Sequence, residues 1–255
     1  MTRILLLNPN TSVELTEIMA EVARAAASPG VVIEAITAPR GVPYIATRAE
    51  ALVGGAIALE MLAEREGEFD AAIVAAFGDP GLGGAREMMQ RPVIGLAEAS
   101  LLTACMLGGR FSVVSFSPTL GPWFGECVDQ HKLSGRLASI RLLDSPFSAI
   151  GAVREEKENL LVELARRAVE EDGADVIVLA GAPLSGLAAR VRDRIDVPVI
   201  EGVAAAVGQA ELLVRLDVRK AVKGGYRRPA PKPSLGLPPA LTRLFSAETP
   251  TGDAR

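Results

Sequence analysis

Phe69-Asp70-Ala71-Ala72-Ile73-Val74-Ala75-Ala76 and Ala174-Asp175-Val176-Ile177-Val178-Leu179-Ala180-Gly181 read as one line written twice, about 105 residues apart. The residues after each octad keep step: Gly81-Leu82 matches Gly186-Leu187, and Pro92-Val93-Ile94 matches Pro198-Val199-Ile200. More loosely, Arg3-Ile-Leu-Leu-Leu-Asn8 matches Arg110-Phe-Ser-Val-Val-Ser115. Short apolar runs rich in Val and Ile are the signature of strands buried on both faces of a parallel sheet. Buried strands share a composition and so look alike by default, but several matched blocks in one order argue for an internal duplication.

Outward from the octads, the chain alternates strand and helix. Residues 3 to 8, 31 to 37, 71 to 76 and 93 to 94 read as strands, with helices through about 26 and over 47 to 66. The series restarts with strands at 111 to 115, 139 to 142, 176 to 180 and 197 to 200, and helices near 119 to 132, 151 to 172, 183 to 194 and 203 to 216. Such alternation implies right-handed crossovers and parallel sheets. The expected fold is α/β, with two flavodoxin-like halves related by a pseudo-twofold, each a parallel sheet flanked by helices. Residues 1–98 plus 202–225 would make the first half and 99–201 the second. Ligands bind at the carboxyl ends of strands in open parallel sheets, so the site is expected in the cleft between the halves.

Composition narrows the function. The 255 residues are 49% hydrophobic and only 4% aromatic, so the core is built from Ala, Val, Leu and Ile. A net charge of −4 offers no basic surface for nucleic acid. No apolar run reaches the roughly 20 residues of a membrane helix, and a cytoplasmic protein is expected. Cys105 and Cys127 lack C-x-x-C spacing, and His131 is the sole histidine, so neither a metal nor any other cofactor is expected. Pairing through apolar helices would give a homo-oligomer. Residues 226–255 carry six prolines between 229 and 250 and are expected to be disordered, with Leu241 to Phe245 as a segment able to dock on a surface.

The chemistry should lie in the loops after the strands. Asn8-Pro9-Asn10-Thr11-Ser12 joins a strand to a helix N-terminus, where free N–H groups favour a carboxylate or imide oxygen; the same residues also suit plain helix capping. Ala76-Phe77-Gly78-Asp79-Pro80-Gly81 leaves its strand through small, turn-forming residues that admit a ligand near the backbone, with Asp79 also able to cap a helix.

In these loops the chain resembles the aspartate/glutamate/hydantoin racemases, and the hydantoin racemase branch within them. The resemblance runs from about residue 3 to 216. It is carried by Asn8-Pro9-Asn10-Thr11-Ser12, Phe77-Gly78-Asp79-Pro80-Gly81-Leu82, Pro92-Val93-Ile94-Gly95-Leu96-Ala97-Glu98-Ala99, Phe111-Ser112-Val113-Val114, Glu170-Glu171-Asp172-Gly173-Ala174-Asp175 and Val197-Pro198-Val199-Ile200-Glu201-Gly202-Val203. It implies cofactor-independent racemisation at an acidic α-carbon by two opposed cysteines, one removing the proton and the other returning it. It also implies a small anionic or cyclic-imide ligand. Both cysteine positions are changed here, to Ala76 and Gly181. Neither side chain can accept a proton, so the family's base pair is absent.

Asp79 is the candidate replacement base, if desolvated, against its alternative as a cap. Cys105 and Cys127 fall inside helices and read as small hydrophobes, and His131 reads as a surface residue. Ser185, Ser115 and Ser117 lack an adjacent base. Asn8, Asn10, Thr11, Phe77, Gly78, Ser115, Ser117, Ala182 and Pro183 are the expected ligand-binding residues, with Tyr44 and Glu98 as further lining. The expected activity is a racemase-like isomerase acting through an altered base set. A decarboxylase or lyase of the same superfold, which needs only one acid, and a binding module without turnover are the alternatives.

Overall fold

The computed structural model describes residues 1–247. Strands β1 (Thr2–Asn8), β2 (Val31–Thr37), β3 (Ala71–Val74) and β4 (Val93–Gly95) form one parallel sheet in the order β2-β1-β3-β4. Strands β5 (Phe111–Ser115), β6 (Leu137–Leu142), β7 (Val176–Leu179) and β8 (Val199–Glu201) form a second in the same order, β6-β5-β7-β8. Helices α1 (Val13–Ala26), α2 (Arg48–Glu64), α3 (Leu82–Met88), α4 (Leu96–Leu107), α5 (Gly121–Gln130), α6 (Val153–Asp172), α7 (Leu187–Val191) and α8 (Gly202–Arg215) alternate with them.

The duplication extends to individual hydrogen bonds. Asp70 Oδ2 accepts from Arg3 N at 2.8 Å, and Asp175 Oδ2 accepts from Arg110 N at 2.8 Å. Ala75 N donates to Leu7 O and Ala180 N to Val114 O, locking each middle strand to its neighbour. Gly81 at φ 78° and Gly186 at φ 83° open α3 and α7 in the left-handed region, which glycine enters without a Cβ penalty. Similar burial composition alone would not reproduce these bonds.

The last helix of each half crosses over. Helix α8 packs on β3 and β4 and against α1, and its Val203, Ala206, Val207 and Ala210 share a core with Ile4, Leu6 and Ile73. Helix α4 packs against β7, placing Ala97, Leu101 and Ala104 among Phe111, Val113 and Val176. The two crossing helices also pack on each other.

Two elements differ from the sequence expectation. The helix expected over 183–194 is broken: a 3-10 turn spans Ala182–Leu184, α7 covers five residues, and another 3-10 turn spans Arg192–Arg194. Pro183 lacks an N–H, and Gly186 at φ 83° interrupts helical dihedrals. The second difference is the tail, expected to be disordered from 226. Residues 226–247 are placed, and α9 (Pro239–Ser246) starts on a proline whose missing N–H costs nothing in a first turn. Leu241 and Leu244 bury beside Ile57, Met61 and Leu62, at about 1.5–3 kcal/mol for each fully buried side chain. Arg228 Nη2 donates to Leu244 O at 2.8 Å, tying the tail to itself. The rest of the tail, 248–255, lies outside the described residues. Among the described residues no helix is long and apolar enough to cross a membrane.

Candidate active site

Ala76 and Gly181, which follow β3 and β7, line one narrow pocket with Asn10, Tyr44, Ile45, Phe77, Phe124 and Ala182. Its free volume is about 10 Å³, the scale of one water molecule. Aromatic rings close it: Phe77 and Phe124 stand 4.7 Å apart between centroids, and Tyr44 and Phe116 6.0 Å. Tyr44 is the titratable side chain on this lining, and burial, reinforced by the charge of Glu50, pushes its phenol upward. Gly181 sits at φ 112°, ψ 136°, and a Cβ there would lie 2.9 Å from Phe116 Cε1. The backbone at this position has therefore settled into a conformation that suits glycine.

The structure divides the other expected residues. Asn10, Phe77 and Ala182 reach the narrow pocket. Asn8 is fully buried, and its Nδ2 is spent on Asn10 Oδ1, Ser12 O and Thr16 Oγ1 at 2.9 to 3.1 Å, so it builds the loop rather than gripping a ligand. Thr11 N donates to Val42 O, holding the loop that carries Tyr44. Ser115 is buried with its Oγ on Ala180 O at 2.7 Å. Ser117 bonds Thr119, and Pro183 is buried in the 3-10 turn. Ser185, weighed in the sequence as a substitute base, is buried, with its carbonyl accepting from Arg154. Gly78 lies outside the narrow pocket, where a Cβ would collide with Trp123 at 2.3 Å. It lines instead an outer pocket of about 560 Å³ between α2, the loop at 78–84 and α5.

Asp79 also lines the outer pocket, and its carboxylate is fully engaged. Oδ1 accepts from Ala97 N at 2.9 Å and Oδ2 from Glu98 N at 2.8 Å, so Asp79 caps α4 from another loop. Room for it exists because residue 95 is glycine: a Cβ there would lie 2.2 Å from Asp79 Cγ. The second half makes the same cap from a different position. There Glu201, directly before α8, accepts from Val203 N and Ala204 N. Both carboxylates satisfy otherwise orphaned N–H groups and meet the positive end of a helix dipole. A carboxylate so occupied holds the start of α4, in keeping with the capping role that the sequence set beside its reading as a base.

His131, expected at the surface, is instead drawn into this cluster, with its side chain only 10% exposed. It follows Cys127 by one helical turn, which brings both to one face of α5, and that i, i+4 spacing was the available sequence signal. Its Nε2 lies 3.2 Å from Asp79 Oδ2 and its Nδ1 3.5 Å from Glu98 Oε1. Arg86 grips the same Glu98 carboxylate in a two-point ion pair, with Nη1 to Oε1 at 2.8 Å. Burial alone would disfavour the imidazolium, but hydrogen bonds to Asp79, Cys127 and Glu98 outweigh it and push His131 up to about 11. Burial likewise opposes the Glu98 charge, and contacts with His131 and Arg86 overcome it, holding the carboxyl down to about 2. Burial pushes the Cys127 thiol up.

A raised histidine stabilises the fold fully below its unfolded value of 6.5, and the contribution is lost as pH climbs through about 11. The melting temperature is therefore expected to fall across that interval, and His131→Gln to flatten the fall. Equal slopes in both proteins would show that His131 is not charged. Glu98 acts at the other end, stabilising above 4.5 and losing effect as pH drops toward about 2.

The model for the Asp/Glu/Hydantoin racemase family matches residues 4–210. A hydantoin racemase of Paenarthrobacter aurescens is 38% identical over 235 residues, covering 90% of this chain and 98% of its relative. A hydantoin racemase of Pseudomonas sp. (strain NS671) is 32% identical over 237 residues, covering 92% and 94%. Among solved structures, an allantoin racemase from Klebsiella pneumoniae superposes with a TM-score of 0.88 at 34% identity, over 96% of this chain and 99% of that one. With a duplicated fold whose strand-end positions 76 and 181 meet in one pocket, the chain belongs to the Asp/Glu/hydantoin racemase family.

Proposed function

We propose that this chain is a cofactor-independent racemase-type isomerase whose substrate is a hydantoin ring substituted at C5, held between the two halves, and that it works without a thiol pair. The observation that carries this reading is the convergence of Ala76 and Gly181 on one pocket at the ends of β3 and β7. Relatives named for hydantoin and for allantoin, itself a ureido-substituted hydantoin, supply the substrate class. The C5 proton is acidic because the neighbouring carbonyl delocalises the carbanion. A protein lacking strong bases can still hasten its loss to solvent by stabilising the enolate. Asn10 and the Tyr44 phenol, a donor rather than a base at neutral pH, are the groups suited to that task. For a ring to enter, the segment carrying Tyr44 and Ile45 has to swing outward, because about 10 Å³ admits no more than water.

In deuterated water the C5 proton signal of a 5-substituted hydantoin or allantoin is expected to disappear faster with the protein than in buffer alone. A thiol-alkylating reagent should leave the rate unchanged. A rate that collapses on alkylation would overturn the thiol-free mechanism. The absence of a proton-accepting side chain at both Ala76 and Gly181 favours a second reading, ligand binding without turnover, and hydantoin binding with no exchange above buffer would select it.

A further inference from the structure

We propose that Asp79, Cys127 and His131 form a binding site for a thiophilic divalent cation of the zinc type, with its open coordination position facing the outer pocket. One ligand atom from each of the three lies within 4.8 Å of the others. Thiolate, imidazole and carboxylate together suit zinc and disfavour magnesium or calcium, which prefer oxygen alone. Asp79 and Cys127 line the pocket of about 560 Å³, so the ion and a water as its fourth ligand have a route in, away from the narrow pocket at positions 76 and 181.

The surroundings support a metal as well as the ligands do. The Nδ1 of His131 faces Glu98, which Arg86 holds in place, so the ring is aimed with Nε2 toward Asp79. Such carboxylate partners orient metal-bound histidines. Asp79 Oδ1 keeps its bond from Ala97 N, and Oδ2, which accepts from Glu98 N, has a second lone pair with which to coordinate. In coordination Cys127 binds as thiolate and His131 as neutral imidazole, any proton they carry leaving to solvent.

The chain, stripped with chelator, is titrated with Co²⁺ in a Cys105→Ser background. Expected are one equivalent bound, a thiolate-to-cobalt charge-transfer band in the near ultraviolet, tetrahedral bands in the visible, and displacement of all of them by Zn²⁺. Cys127→Ser should abolish the charge-transfer band, and Glu98→Gln should weaken affinity by about 10–100-fold. Should Cys127→Ser not fold, the folded Cys105→Ser protein answers alone, because Zn²⁺ is expected to slow the reaction of Cys127 with a disulfide reagent. No thiolate band at saturating Co²⁺, a band unchanged in Cys127→Ser, or equal thiol reactivity with and without Zn²⁺ would each overturn the proposal.

Discussion

Asp79→Ala is expected to destabilise the protein by about 3–5 kcal/mol, the usual cost of removing one partner from a buried ion pair. The loss combines two effects. Ala97 N and Glu98 N lose their acceptor, and His131 keeps a charge with one carboxylate fewer. Asp79→Asn keeps the shape and one acceptor oxygen and should cost less. Urea unfolding at pH 7 measures both, with the midpoint shifting and the slope unchanged. A loss below about 1 kcal/mol for the alanine variant, the scale of one exposed cap, would contradict a buried network. In a His131→Gln background the cost of Asp79→Ala should shrink, since the two side chains touch and their effects are not additive.

Placing a cysteine at each of the two strand ends, Ala76 and Gly181, should have opposite outcomes. Ala76 already carries a Cβ, so Ala76→Cys adds one sulfur and should fold. Gly181→Cys places a side chain at φ 112°. That costs about 1–3 kcal/mol in the backbone. It also drives a Cβ to 2.9 Å from Phe116, with a further overpacking cost of about 1–3 kcal/mol. The melting temperature should fall by about 2–4 °C per kcal/mol in a chain of this size. Gly181→Cys melting with the unmodified chain would show that the loop relaxes easily. The single Ala76→Cys variant carries a thiol on one face only, so any gain in C5 exchange should come without balanced racemisation.

Much of this was legible in the sequence because it depends on local pattern. Apolar octads at 69 and 174 fixed two buried strands, and matched Gly-Leu and Pro-Val-Ile blocks fixed the repeat. What stayed hidden depends on partners distant along the chain. Asp79 reads as a cap for the helix just after it, yet it caps α4, and the determinant is the absent Cβ at Gly95. Compared letter by letter, Gly95 and Glu201 have nothing in common, although each marks where a carboxylate meets a helix start. His131 looks solitary because Asp79 lies 52 positions away and reaches it only through tertiary packing. The tail misleads for a different reason: its prolines do disfavour helix, but Pro239 falls where proline is tolerated and Leu241 and Leu244 find a partner in α2.

The crossing of α4 and α8 also bears on the history of the molecule. A single half, four strands with their helices, would leave one sheet face wet unless a second copy lent its final helix. Two such copies would form a dimer by exchanging that helix, the low-cost route known as domain swapping. Joining the copies end to end would turn the swapped dimer into one chain with α8 returned to the first sheet and α4 lent to the second, as seen here. Neither half is then a unit that recombination could pass on alone.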